Sequence, residues 1–210
     1  MKRKMIKVCG MVQEKNILEV AQCGIDLMGF IFYPPSPRYV GENFVLPLDF
    51  PAHVERAGVF VNAGTEEIME KAGRYGLTWI QLHGKEDVDQ TRALKDCGLK
   101  ILKVFSVDET FSFRDVHRYE KAVDYFLFDT KGKYFGGNAR TFDWSLLKNF
   151  DLDIPYFLSG GLNRSNIEGA LAIEDKRMAG LDLNSGVETA PGLKSLEKIK
   201  AMVETIHGAK

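Results

Sequence analysis

Residues 178–186 read MAGLDLNSG, an apolar run that stops at a polar cluster containing a glycine. Runs of this kind occur eight times along the chain. The other seven lead, in order, to Cys9-Gly10, Ser36-Pro37-Arg38, Asn62, His83-Gly84, Ser106, Asp129-Thr130 and Ser159-Gly160-Gly161. Strands that are apolar throughout are typical of a parallel sheet covered on both faces. The pattern therefore predicts a parallel sheet with its polar residues gathered at the carboxyl ends of the strands.

Segments with helical periodicity lie between these runs. Thr65 is predicted to cap one helix, and Ser165-Asn166-Ile167-Glu168 has the spacing of a capping box before another. Residues 41–52 contain one glycine and two prolines, so the second helix is expected to be short or irregular. A strand and a helix repeated eight times predict an α/β protein, a single (β/α)8 TIM barrel that forms one catalytic domain over residues 1–210. A doubly wound open sheet is the alternative, but the chain contains no GxGxxG fingerprint.

Composition and charge exclude several classes of protein. The formal net charge of -1 gives no basic field that would favour nucleic acid, and no apolar stretch approaches the length of a membrane span. Cys9, Cys23 and Cys97 show no CxxC spacing, which argues against a disulfide framework and a zinc site. Cys23 and Cys97 are predicted to be buried near helix ends. No secretory signal is recognisable at the start, so a cytoplasmic location is expected.

Two glycine-containing loops are candidates for an anion site. Gly160 and Gly161 follow the seventh run, and Asn184, Ser185 and Gly186 follow the eighth. Glycines allow backbone amides to approach an anion closely, and the last two loops of a TIM barrel are its usual phosphate site. The alternative is that these glycines only make tight turns. We expect a phosphorylated small-molecule ligand.

His83 and Asp129 are candidates at the ends of the fourth and sixth strands, respectively. Asp129 closes the apolar run Tyr125-Phe126-Leu127-Phe128, where desolvation would raise its pKa and suit it to general acid chemistry. It could equally anchor a loop or cap a helix. A histidine such as His83 stabilises a loop more often than it catalyses.

Two interpretations remain open for each of three further residues, Cys9, Arg38 and Asp182. Cys9 is either a packed thiol or a base, and Lys7, two residues earlier, points to the same side of the strand. Arg38 suits a substrate carboxylate by its planar guanidinium, or is a surface residue. Asp182 could hold a sugar hydroxyl or accept hydrogen bonds from the loop.

Taken together, these strand ends resemble the phosphoribosylanthranilate isomerase family. The motifs cover the chain nearly end to end, and the Cys-Gly start joined to the Asn-Ser-Gly-Val-Glu ending is specific. The matching pieces are Lys7-Val8-Cys9-Gly10, Gly29-Phe30-Ile31-Phe32, Ser36-Pro37-Arg38, Gly58-Val59-Phe60-Val61-Asn62, Gln81-Leu82-His83-Gly84, Asp129-Thr130, Gly136-Gly137, Phe142-Asp143-Trp144, Leu158-Ser159-Gly160-Gly161-Leu162, residues 180–188 and Pro191-Gly192-Leu193-Lys194.

The resemblance implies an Amadori rearrangement in tryptophan biosynthesis. The aminoaldose N-(5-phosphoribosyl)anthranilate becomes the aminoketose 1-(2-carboxyphenylamino)-1-deoxyribulose 5-phosphate, without metal or cofactor. By this resemblance Asp129 is the general acid, Cys9 the general base and Arg38 the ligand of the anthranilate carboxylate. The remaining residues expected to bind substrate are His83, Gly137, Gly160, Gly161, Asp182, Asn184, Ser185 and Gly186. Family members occur as monomers and homodimers, and the sequence leaves that choice open.

The chain departs from the family after the sixth strand, and two rival functions stay open. Gly136-Gly137-Asn138-Ala139 stands where the family usually has Gly-Gly-Thr-Gly. A histidine-pathway aminoaldose isomerase would carry an aspartate at the position of Cys9 and a longer chain. A non-catalytic phosphate-binding barrel would need neither Cys9 nor Asp129.

Overall fold

Eight parallel strands form a closed barrel in the computed structural model, which describes residues 3–131 and 141–208. β8 pairs with β1, placing Asp182 opposite Lys7. The TIM barrel predicted from the repeated runs is confirmed. The strands are β1 (Met5–Cys9), β2 (Leu27–Ile31), β3 (Glu55–Phe60), β4 (Trp79–Leu82), β5 (Lys100–Val107), β6 (Tyr125–Thr130), β7 (Tyr156–Leu158) and β8 (Met178–Leu183).

Helices of unequal length connect the strands. The α-helices are α1 (Glu14–Ala21), α2 (Thr65–Tyr75), α3 (Val88–Asp96), α4 (Ile167–Leu171) and α5 (Leu196–Gly208). Phe113–Tyr119, Trp144–Asn149 and Ser185–Val187 are 3₁₀ helices, and a small antiparallel hairpin of β9 (Glu188–Ala190) and β10 (Leu193–Lys194) follows β8. Among the described residues, no helix is both long and apolar enough to cross a membrane.

The connection between β2 and β3 contains turns where a short or irregular second helix was expected. The N–H of Phe50 donates to the carbonyl of Pro47, and a similar turn follows Pro51. Proline has no N–H to give to a helix and clashes with the preceding turn, so these two prolines prevent helical hydrogen bonding. The segment instead packs Phe44 against Tyr75 of α2, with ring centroids 5.3 Å apart.

Three local predictions were wrong. The N-cap of α2 is Gly64, because Thr65 already lies within the helix. The capping box before α4 does not form: Asn166 is the N-cap, and its side chain accepts from the N–H of Asn163. Cys97 is exposed, since it follows the last turn of α3 at the surface.

The barrel interior is divided into an apolar half and a polar half. The amino-terminal half is filled by inward-facing side chains, namely Leu27, Ala57, Trp79, Leu102, Val104, Leu127 and Phe157. A larger core lies between the strands and the helices and includes Ile6 and Val8. Because successive side chains of a strand alternate, Lys7 and Cys9 of β1 point inward. The fold thereby gathers polar groups at the carboxyl ends of the strands.

Candidate active site

An open cleft with about 580 Å³ of empty space lies at the carboxyl ends of the strands. Nine of the residues predicted from the sequence line it, namely Cys9, His83, Asp129, Gly160, Gly161, Asp182, Asn184, Ser185 and Gly186. Arg38 is outside this lining but lies over Gly10, because a methyl group on Gly10 would come 2.7 Å from its Cδ. Gly137 and the departure at Asn138-Ala139 lie outside the described residues.

Asp129 is a buried carboxyl on the wall of the cleft. Its Oδ1 accepts a hydrogen bond of 2.8 Å from the N–H of Thr130. Burial, together with the nearby charge of Asp182, raises the pKa of Asp129 to about 7, against the opposing effects of Thr130 and Lys7. A carboxyl with such a pKa holds a proton near neutrality and can donate it.

His83 lies next to Asp129. Its Nε2 lies 3.6 Å from Asp129 Oδ2, but burial and the charges of Lys7 and Lys103 lower the pKa of His83 to about 3. The imidazole is therefore neutral near pH 7. The amide Nε2 of Gln81 lies 3.1 Å from its Nδ1. Since an amide nitrogen only donates, Nδ1 accepts and the remaining proton sits on Nε2, on the side of Asp129.

A buried ion pair that the sequence reasoning missed supports the loop carrying His83. Lys103 Nζ lies 2.7 Å from Glu86 Oε2 and also donates to the carbonyl of Gly84. Glu86 in turn accepts from the N–H groups of Asn62 and Gly84. Glu86 thus links the loops after β3 and β4, and Lys103 holds Glu86 in place. The sequence carries no signal for this role of Glu86. It lies in a loop, where hydrophobic periodicity does not apply, and a single carboxylate in a loop is usually solvated.

Lys7 and Asp182 form a second buried ion pair, directly beneath the cleft. Lys7 Nζ lies 2.8 Å from Asp182 Oδ1, and both side chains are almost fully buried. Burial raises the pKa of Asp182, against the opposing effect of Lys7. Cys9 lies beside this pair, and burial raises the pKa of its thiol despite the attraction of Lys7. The prediction that Lys7 and Cys9 point to the same side of β1 is confirmed.

The glycine loops after β7 and β8 are shaped by close contacts. Gly160 and Gly161 have φ angles of +92° and +64°, which glycine adopts without strain. A methyl group on Gly160 would lie 2.1 Å from Thr130 Oγ1, and one on Gly186 would lie 1.9 Å from the carbonyl oxygen of Leu162. Within the described residues, the N–H groups of Gly161, Leu162 and Gly186 donate to no acceptor. Backbone amides of this kind are available to an anion.

Arg38 is buried against the β9–β10 hairpin, which excludes the interpretation as a surface residue. Its Nε and Nη2 donate to the two oxygens of Glu188 at 2.8 and 2.6 Å. Lys194 Nζ lies 2.7 Å from Glu188 Oε1 and 2.7 Å from Asn184 Oδ1. Burial lowers the pKa of Lys194 to about 8, although Glu188 opposes that shift.

This cluster of two cations and one carboxylate carries a net positive charge near Cys9. Glu188 and Lys194 were not assigned a role from the sequence. Their position directly after the last strand was the available signal. Among the described residues, no group of three or more His, Cys, Asp and Glu side chains is arranged to hold a metal ion.

Comparisons with known proteins agree on one family. Residues 6–205 match the family model of N-(5'-phosphoribosyl)anthranilate (PRA) isomerase. The chain is 46% identical over 189 residues to an N-(5'-phosphoribosyl)anthranilate isomerase of Phocaeicola vulgatus, covering 90% of this chain and 91% of that protein. A phosphoribosyl anthranilate isomerase structure from Thermus thermophilus superposes with a TM-score of 0.82 at 26% identity, covering 98% and 100% of the two chains.

A further structure is that of a phosphoribosyl anthranilate isomerase in complex with reduced 1-(o-carboxyphenylamino)-1-deoxyribulose 5-phosphate. It is 31% identical to this chain with a TM-score of 0.77, and the match covers 98% of this chain and 99% of the other. The family model covers nearly the whole chain, and the relatives align with 90–98% of it. The chain belongs to the N-(5'-phosphoribosyl)anthranilate isomerase family.

Proposed function

We propose that the chain catalyses the Amadori rearrangement of N-(5-phosphoribosyl)anthranilate in tryptophan biosynthesis, with Asp129 as general acid and Cys9 as general base. The observation that carries these roles is that a buried carboxyl, whose pKa is raised to about 7, and a thiol line one cleft beside two glycine loops. A purely phosphate-binding barrel has no need for such an acid and base. The shared motifs and family membership support the same reaction.

The first step opens the ribose ring. Asp129 gives its proton to the furanose ring oxygen while the bond from that oxygen to C1 breaks. The lone pair of the anthranilate nitrogen forms the C1–N double bond, so the product is a protonated Schiff base with a free hydroxyl. The pKa of Asp129 of about 7 suits this donation, because an acid is most effective when its pKa is near the working pH.

The second step moves a proton from C2. The Cys9 thiolate takes this proton, the electron pair forms a C1–C2 double bond, and the Schiff base nitrogen becomes neutral. The resulting enol relaxes to the ketone as the C2 hydroxyl loses a proton and C1 gains one. Substrate and product are isomers, so no oxidant or reductant is required.

The two anionic ends of the substrate have separate sites in this proposal. The amides around Gly161 and Gly186 bind the phosphate, because these residues line the cleft and their N–H groups donate to no acceptor among the described residues. The Arg38–Lys194–Glu188 cluster holds the anthranilate carboxylate by its excess positive charge. We further propose a cytoplasmic protein that acts as a monomer or homodimer.

The direct test uses the fluorescence of phosphoribosylanthranilate, whose disappearance reports turnover. The wild-type chain should consume it without added metal or nucleotide. Cys9→Ala and Asp129→Asn should each lower kcat by about 10²–10⁴-fold while still binding the reduced product analogue. Leu48→Ala, at a fully exposed position, is the control and should keep full activity.

Two results would contradict the proposal in different ways. A folded wild-type chain that leaves the substrate fluorescence unchanged would remove the reaction itself. Full turnover in both active-site variants would leave the reaction in place but remove the roles of Cys9 and Asp129.

A further inference from the structure

We infer that Lys7 is a positioning residue that holds Cys9 ready as a base, and that Asp182 holds Lys7 in place. The inference rests on the proposed function, because it assigns to Lys7 the stabilisation of the thiolate that the second step consumes. Lys7 contacts the sulfur-bearing side chain and is not assigned any contact with substrate.

The placement of Lys7 is fixed by the barrel itself. Lys7 and Cys9 are two residues apart on β1 and therefore point to the same side of the strand. Lys7 lies opposite Asp182 in the register between β1 and β8, which brings the ammonium within 2.8 Å of a carboxylate oxygen. A lysine with no exposed surface cannot move to another partner without opening the barrel.

Gly29 on β2 provides the space in which the ammonium and the sulfur meet. It lies opposite Cys9 in the register between β1 and β2. A methyl group at this position would lie 2.8 Å from Cys9 Sγ and 3.2 Å from Lys7 Nζ. The two atoms therefore converge on one point, and any larger residue on β2 would separate them.

Charge explains why this convergence matters for the chemistry. A buried thiol is difficult to ionise, and a neighbouring cation is what lowers that cost. The pKa of Lys7 is raised because Asp182 and Cys9 outweigh its burial, so Lys7 stays protonated throughout the pH range of the reaction.

Other groups act on Cys9 from the surrounding strands. Lys194 attracts a thiolate at Cys9, whereas Asp182 repels it. His83 is neutral, and Asp129 carries its proton before the first step. Arg38 is paired with Glu188. Among the described residues, Lys7 is thus the cation that hydrogen-bonds to the side chain of Cys9.

The test measures the ionisation of Cys9 directly in two variants with opposite expected shifts. The rate of alkylation of Cys9 by iodoacetamide is followed against pH by peptide mass spectrometry, with the exposed Cys97 as internal reference in each sample. Lys7→Met leaves an unbranched side chain one atom shorter and removes its charge, so the midpoint for Cys9 should rise. Asp182→Asn removes the charge that repels a thiolate but keeps a side-chain oxygen that accepts from Lys7 Nζ, so Lys7 stays in place and the midpoint should fall.

Kinetics of the same variants complete the test. Lys7→Met should lower kcat by about 10²-fold or more with KM changed only a few-fold, because a base is lost while substrate binding is not. Binding of the reduced product analogue verifies that the site is intact. If Lys7→Met does not fold, Gly29→Ala serves in its place, since its methyl group displaces the sulfur from the ammonium.

An unchanged alkylation midpoint in folded Lys7→Met, or shifts of the same sign in both variants, would overturn the inference. Inactive wild-type protein would instead refute the proposed function, whereas the alkylation midpoints are measured without any turnover.

Discussion

Burial acts in opposite ways on the two residues assigned to proton transfer. For Asp129 it raises the pKa to about 7 and so produces a usable acid. For Cys9 it raises the pKa above its ordinary value of 9.0 and so hinders the base. A single desolvated cleft therefore favours one half of the chemistry and opposes the other. The buried Lys7 is proposed to provide the charge that the thiolate needs, and its own pairing with Asp182 places it there.

The raised pKa of Asp129 predicts a pH-dependent cost in stability. The folded state holds this proton up to about pH 7, whereas the unfolded chain releases it near pH 3.8. The contribution of Asp129 to the free energy of unfolding is therefore fully present below pH 3.8 and declines as pH rises toward 7. One unit of pKa corresponds to about 1.4 kcal/mol. Asp129→Asn carries no such penalty and should be more stable than wild type by a few kcal/mol above pH 7.

Chemical denaturation of both proteins at several pH values checks this prediction. The difference in unfolding free energy should grow between acid and neutral pH and then level off. Asp49→Asn is the control, because an exposed carboxylate without a buried environment should give a small difference. A constant difference across the whole range would contradict a raised pKa at Asp129.

At the scale of elements, the short β9–β10 hairpin contributes more to the site than its length suggests. It carries both Glu188 and Lys194, and it is tied to α1 by two hydrogen bonds between Asn16 and the backbone of Lys194. Glu188 stays ionised because Arg38 and Lys194 outweigh the effect of its burial on its pKa. The hairpin thereby orients the arginine that is proposed to bind the anthranilate ring's carboxylate.

Glu188→Gln should weaken substrate binding more than chemistry. The neutral amide cannot hold Arg38 and Lys194 together, so two buried cations separate and Arg38 loses its orientation. We expect KM to rise about tenfold or more, which corresponds to about 1.4 kcal/mol, with a smaller change in kcat. Steady-state kinetics measure both constants. Glu70→Gln removes an exposed ion pair with Arg74 and should change neither kcat nor KM. An unchanged KM in Glu188→Gln would exclude the hairpin from substrate binding.

At the scale of the whole molecule, the residues that pack the barrel and the residues that line the cleft lie in different halves of it. Its amino-terminal half is packed with aromatic and aliphatic side chains, and its carboxyl-terminal half carries the ionisable groups. Phe157 is fully buried in the apolar half, in edge contact with Trp79 and Tyr125. Gly180 allows the approach of Phe157, because a methyl group there would lie 2.5 Å from the ring.

Phe157→Leu should therefore cost stability without altering the chemistry. We expect a loss of about 1–3 kcal/mol in the unfolding free energy, since the smaller side chain leaves the layer incompletely filled. Thermal unfolding measures the loss, and kcat at a temperature well below the transition should match wild type. Leu48→Ala is the matched control, because its fully exposed side chain loses no packing. A large fall in kcat would show that the two halves are coupled.

The positions of the strands and of most site residues could be predicted from the sequence. Each strand is a short apolar run, and the pairing of parallel strands sends all of their polar ends to one face. Cys9, His83, Asp129 and Asp182 were identifiable because each stands at or next to such an end. Helix starts were less predictable. Backbone angles decide which residue is the N-cap, and composition does not fix those angles. Thr65 therefore lies inside its helix although it was predicted to cap it.

The sequence by itself determined the barrel, the face on which the chemistry lies and, through the family motifs, the reaction. Only the tertiary structure decided the partners of each charge. Lys7 meets Asp182, Arg38 meets Glu188 and Lys103 meets Glu86 across 175, 150 and 17 residues of sequence. Periodicity reports which side of an element a residue faces, but such pairings arise from barrel closure and loop packing. Burial then raises the pKa of Asp129 to about 7, which suits the role of general acid proposed for it.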